Sequence, residues 1–184
     1  MGELHSFHIF FRQNCIHRSL CSDAAVNAVK LCTTFENPRD RPASAASGKD
    51  AGAAPTSGAA LAEELAEYNT HYEKLLIGFM SGLTSFCKTI HVTNELERPE
   101  GLSVSYFNVC ATSHFKIHYF ETLTGYKLVC ITSPEVSSLE LIMNAIYTDL
   151  IVNMVLSNPL YQIGAMISSP EFDEIVAKTL RANI

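Results

Sequence analysis

The run FKIHYFETLTGYKLV, from Phe115 to Val129, constrains this chain more than any other stretch. Phe115, Ile117 and Tyr119 alternate with Lys116 and His118, the period of a half-buried strand. Thr122 to Gly125 supplies a turn in which Gly125 is free to take positive φ. Lys127 to Thr132 then returns as a strand whose unbroken apolar run predicts burial on both faces. A strand covered above and below requires helices on both sides of its sheet. The hairpin holds no catalytic group with a partner, so function is expected in surfaces rather than in a pocket.

The rest of the chain supplies those helices. Leu4 to Arg12 and Cys15 to Cys21 read as two strands joined at Gln13-Asn14. Asn37 to Gly58 carries prolines, glycines and small polar residues, the composition of a flexible insertion, which we place at about residues 23–58. A long helix is expected over Ala60–Ile90, where Leu61, Leu65, Tyr68, Tyr72, Leu75, Leu76, Phe79, Leu83, Phe86 and Ile90 recur at helical spacing. Leu102 to Ala111 reads as a third strand ahead of the hairpin. Ser137 and Glu140 fit a capping box opening a helix that runs to about Ser157 and stops at Asn158-Pro159. A last helix begins at Ser169-Pro170, with acids early and Lys178 and Arg181 late, as the helix dipole favours. The order ββαβββαα over residues 1–184 predicts a single α+β domain with a five-stranded, mainly antiparallel sheet.

Charge excludes two classes of partner. A formal net charge of −6 lacks the basic footprint that nucleic acid or an anionic lipid surface requires. The six cysteines are scattered through apolar runs without a C-x-x-C pair, the pattern of buried free thiols in a reducing, cytosolic compartment. The apolar run Leu139–Leu156 is interrupted by Glu140, Asn144, Asp149 and Asn153, which argues against a membrane span.

Chemistry-bearing patterns are weak. His5 and His8 lie three apart in a strand and point to opposite faces, so they cannot share a metal. His114 and His118 share a face but stand too far apart to clamp one ion unaided. No nucleophile elbow, phosphate loop or H-E-x-x-H run occurs, so no catalytic residue, metal ligand or cofactor is assigned. Met1 to Ser6 matches the myristoylation pattern, although Glu3 and the strand beginning at Leu4 argue against Gly2 being modified.

Two helices instead carry more apolar or smooth surface than one domain needs. In the helix from Leu139, one stripe fits the sheet, while Leu141, Ala145, Val152, Val155 and Leu156 form a second. That second stripe is either covered by the last helix or presented to another protein. In the first helix, Gly78, Ser81, Gly82 and Ser85 make a smooth face. Two glycines inside a helix cost roughly 1 kcal/mol each, which makes sense where another backbone approaches closely. Both faces are partner-interface candidates, with close packing on the chain's own sheet as the alternative for the glycines.

Five segments together resemble the small core subunits of the TRAPP (transport protein particle) tethering complex, the synbindin-like and sedlin-like group of longin-type folds. They are HSFHIFFRQNCIHR, EKLLIGFMSGLTSF, HFKIHYFETLTGYKLV, IYTDLIVNMVLSNPLY and SPEFDEIV. Synbindin carries a PDZ-like domain where this chain has only Asn37–Gly58, which favours the subunit-1 branch of the group. The resemblance implies one helix on one face of the sheet and two on the other. It also implies assembly with other TRAPP core subunits and a non-catalytic role in activating a Rab-family GTPase between endoplasmic reticulum and Golgi. Such a protein is cytoplasmic, peripheral at cis-Golgi and endoplasmic reticulum, and meets membrane only indirectly. The alternative is another longin-type trafficking module, such as a synbindin-type subunit, an adaptor small chain or a SNARE regulatory domain.

Overall fold

The computed structural model describes residues 2–23, 25, 58–91 and 107–184, without the side chains of 58–69 and 91. Its elements run β1 (Leu4–Phe11), β2 (Asn14–Leu20), α1 (Gly58–His91), β3 (Val109–Ala111), β4 (Lys116–Glu121) and β5 (Tyr126–Thr132). Then come α2 (Glu140–Ala145), which continues as a π-helical stretch (Ile146–Leu156), and α3 (Pro170–Arg181). The five strands form one sheet in the order β2-β1-β5-β4-β3, and every neighbouring pair is antiparallel. This is the α+β fold of a longin-like domain.

The expected hairpin is β4–β5, closed by Thr122–Gly125 with Gly125 at φ 88°. A Thr122 knot holds the turn: its hydroxyl accepts from the Tyr126 N–H at 3.0 Å, and its carbonyl accepts from Gly125 N–H at 3.1 Å. β5 lies at the centre of the sheet, and Leu128, Val129 and Cys130 are fully buried on alternating faces, as its apolar run predicts. β4 departs from the expected half-burial. Ile117, His118, Tyr119 and Phe120 are all buried, because helices cover this strand too on both sides.

Two cores flank the sheet. Phe10, Ile117, Tyr119 and Val129 pack against Leu76, Ile77 and Met80 of α1. On the opposite face, Phe7, Ile9, Phe120, Leu128 and Cys130 pack against Met143, Ile146 and Ile151 and against Phe172, Val176 and Leu180 of α3. One helix therefore lies on one face and two on the other.

Four local expectations need correction. The first turn is one residue earlier than expected: Phe11 pairs with Asn14, so Arg12-Gln13 makes it, with Arg12 at φ 58°. Of the third strand, only Val109–Ala111 is strand among the described residues, and 102–106 lie outside them. The capping box at Ser137 does not form. The helix starts at Glu140 with Leu139 at its N-cap and no side-chain cap, and Glu140 instead accepts from Asn108 Nδ2 at 2.9 Å. The five described cysteines are free, yet of these only Cys130 is fully buried. Ser169, by contrast, caps α3 as expected, accepting from Phe172 N–H with Pro170 in the first turn. Cys32 and the low-complexity stretch 37–57 lie outside the described residues, as do the side chains of Leu61, Leu65 and Tyr68.

β1 and β2 depart from a regular ladder at one point. Ile9 pairs with His17 and Phe10 with Cys15, which leaves Ile16 as an extra residue, a β-bulge. Ile16 and His17 consequently both serve the two-helix side, where Ile16 joins the core and the His17 ring meets Phe172 at 5.1 Å. Cys15 and Arg18 both face α1, although they are three residues apart.

Candidate interaction surface

Helix α1 buries one stripe and leaves another in solvent. Leu76, Ile77 and Met80 are at most 7% exposed, while Tyr72 and Leu83 are half-buried against them. Leu75, Phe79, Phe86 and Ile90 are instead 51%, 49%, 63% and 57% exposed. The sequence grouped Tyr72, Leu75, Leu76, Phe79, Leu83, Phe86 and Ile90 in one stripe and left out Ile77 and Met80, which the structure buries. Residues at i, i+4, i+11 and i+15 do lie on a common face, but here that face points away from the sheet.

The smooth residues lie on the same open side. Gly78 and Gly82 are exposed, and among the described residues a Cβ added at either would meet nothing within 4 Å. Close packing on the chain's own sheet therefore does not account for these glycines. Ser85 is exposed as well. Ser81 is half-buried and donates its hydroxyl to the Ile77 carbonyl at 2.8 Å, which tethers it to its own helix. Leu75, Gly78, Phe79, Gly82, Phe86 and Ile90 thus make a face of large apolar side chains set around two bare backbone positions.

The second candidate face divides. Leu141 is 81% exposed, while Val155 is only 8% exposed and belongs to the core. Ala145 is half-buried, and Val152 and Leu156 pack partly against that core. The reason is the change of helix type at Ile146. A π-helix closes its hydrogen bonds one residue later than an α-helix, so the residues meeting the sheet follow a longer period. Met143, Ile146, Tyr147, Ile151 and Val155 are the buried series, and the α-helical spacing that placed Val155 on the outer side no longer applies. A smaller apolar group follows the helix: Leu160 and Ile163 are 89% and 70% exposed.

Groups with chemical potential are mostly held in structural roles. A depression of about 470 Å³ on the sheet edge is lined by His17, Arg18, Ser168, Ser169 and Asp173 among others. It contains the residue types of a nucleophilic triad without its geometry. His17 Nδ1 lies 3.4 Å from Asp173, but Nε2 is buried with no hydrogen-bond partner among the described residues, and Ser169 is spent capping α3. His118 is buried and fixed by three bonds in series. Leu139 N–H donates to Nδ1 at 3.4 Å, Nε2 meets Thr132 Oγ1 at 3.0 Å, and the Thr132 hydroxyl donates to the Ser133 carbonyl. Burial first, then the charge of Lys116, lowers the His118 pKa to about 4.

Gly2 is partly buried where the chain ends meet, and a Cβ there would approach Val136 at 2.5 Å and Ile184 at 2.9 Å. Among the described residues, no helix is long and apolar enough to cross a membrane.

Fold and surface together define a small sheet-and-helix module that offers an apolar helix face. The Sybindin-like family profile matches residues 8–183, and the chain belongs to that family. It is 34% identical over 89 residues to Transport protein particle subunit bet5 of Schizosaccharomyces pombe, covering 48% of this chain and 51% of that protein. It is 32% identical over 99 residues to human Trafficking protein particle complex subunit 1, covering 54% of this chain and 63% of that protein. Subunit 4 of the same complex from Dictyostelium discoideum matches at 33% over 101 residues, covering 55% and 74%. The matches to bet5 and subunit 1 span about half to two thirds of those relatives' length.

Proposed function

We propose that this protein is a non-catalytic core subunit of a TRAPP vesicle-tethering complex acting between endoplasmic reticulum and Golgi. It scaffolds the complex and contributes part of the surface on which a Rab-family GTPase exchanges nucleotide, without bond-making chemistry of its own. Its location in this reading is cytoplasmic and peripheral to those membranes, with Gly2 unmodified because it is packed against Val136 and Ile184. The family membership and the names of the relatives support the class of complex. The observation that carries the docking role is the outer face of α1. Phe79, Phe86 and Ile90 are too exposed for a chain that acts alone, and the bare backbone at Gly78 and Gly82 lets another element come close.

The test is co-expression with the other TRAPP core subunits, followed by purification through a tag on one of them. The wild-type chain is expected to co-purify in stoichiometric amount, and Phe79→Glu to be lost from the complex while remaining folded. A wild-type chain that stays monomeric and binds none of those subunits would overturn the assignment.

A further inference from the structure

The α1 side of the sheet brings together three side chains that no sequence spacing connects. His8 comes from β1, Cys15 from β2 and Glu73 from α1, and one ligand atom of each lies within 4.8 Å of the other two. The bulge at Ile16 is what makes the set, because it keeps Cys15 and Arg18 on one side of the sheet. His8 is 1% exposed, and among the described residues neither of its ring nitrogens has a hydrogen-bond partner. Two orphan nitrogens in one buried ring are unusual, since buried polar atoms are nearly always satisfied. Its ring neighbours, Phe10 at 6.1 Å and Tyr72 at 5.8 Å, wall it in without satisfying either nitrogen.

We propose that His8, Cys15 and Glu73 bind a divalent cation of the zinc class. One imidazole nitrogen, one thiolate and one carboxylate make the donor set that a borderline-soft ion prefers, whereas magnesium or calcium would call for oxygen alone. Three protein ligands leave a fourth position for water or for a donor from a docking partner. His8 would meet the ion through an unprotonated ring nitrogen, and both of its nitrogens are buried and open to a ligand bond. A metal takes cysteine as the thiolate, so binding at Cys15 forms a metal–sulfur bond and releases the thiol proton to solvent.

Arg18 competes with the ion for Glu73. Its Nε lies 2.9 Å from Glu73 Oε1, but the pair lacks the angle of a hydrogen bond. With its side chain 26% exposed, Arg18 has room to turn outward. The site would tie the edge hairpin β1–β2 to α1, beneath the helix whose outer face is open.

The full chain, stripped with chelator, is titrated with Co²⁺ and separately with Zn²⁺. One Co²⁺ per chain with a thiolate-to-cobalt charge-transfer band is expected, together with a rise of several degrees in the thermal midpoint in Zn²⁺. Cys15→Ser and His8→Gln should each lose the band and the thermal shift, and Arg18→Gln should bind the ion at least tenfold more tightly. Should Cys15→Ser fail to fold, wild-type protein decides: Zn²⁺ is expected to protect Cys15 from alkylation while Cys110 keeps its rate. Absence of the band in wild type, its persistence in a folded Cys15→Ser chain, or equal alkylation of Cys15 with and without Zn²⁺ would each overturn the proposal.

Discussion

Nε2 of His118 lies 3.0 Å from Oγ1 of Thr132, across the two strands of the central hairpin. Thr132 spends its own proton on the Ser133 carbonyl, so Nε2 must carry the proton and Nδ1 must accept from Leu139. Only the neutral ring satisfies both contacts. The imidazole thereby performs the service that Ser137 was expected to perform, meeting a backbone N–H where the helix begins.

The pH dependence follows from that arrangement. The folded state holds His118 neutral down to about pH 4, against 6.5 for the unstructured side chain. Below 6.5 the unfolded chain therefore binds more protons, so the contribution is complete above pH 6.5 and is lost as pH falls toward 4. The loss is roughly 3 kcal/mol at most, at 1.36 kcal/mol per pK unit. Denaturant unfolding of wild type and His118→Gln at pH 7 and pH 4.5 should show the smaller pH effect in the variant. Equal pH dependence of the two would refute this account.

Gly78 and Gly82 separate monomer stability from assembly. Each sits inside a helix with open space around it, so alanine at either should raise the unfolding free energy by about 0.5–1 kcal/mol. In the complex the same methyl groups would hold a docking backbone off the helix. Chemical denaturation is expected to show a gain for Gly78→Ala/Gly82→Ala, and pull-down a weaker hold on partner subunits.

Val155 and Leu141 discriminate the two readings of the second helix. Val155→Asp places an unpaired charge in the core and should cost about 3–5 kcal/mol. Leu141→Asp, on a residue 81% exposed, should change stability by no more than about 0.5 kcal/mol. Thermal unfolding followed by circular dichroism reads both, and similar losses for the two would contradict the burial described above.

The hairpin turn offers a backbone test. Gly125 stands at φ 88°, a region where a side chain brings strain of roughly 1–2 kcal/mol. Gly125→Ala should lower the unfolding free energy by about that amount, measured in urea, without disturbing the surface of α1.

The sequence was most legible where local chemistry and burial agree. Turn residues at Thr122–Gly125, the serine and proline opening α3 and the unbroken apolar run of β5 each have one stable use, and each appears as expected. Ser137 failed because a capping box is a local option that a buried imidazole outcompeted.

Sequence by itself thus determined the strand and helix order and the need for helices on both faces of the sheet, because alternation, helical period and turn chemistry act over a few residues. Tertiary structure alone decided which side of α1 meets the sheet, why Val155 turns inward and how His8, Cys15 and Glu73 come together. The last two outcomes depend on a widened helix after Ala145 and a bulge at Ile16. A one-residue change in period is invisible in composition, yet it reassigns every side chain beyond it to a different neighbour.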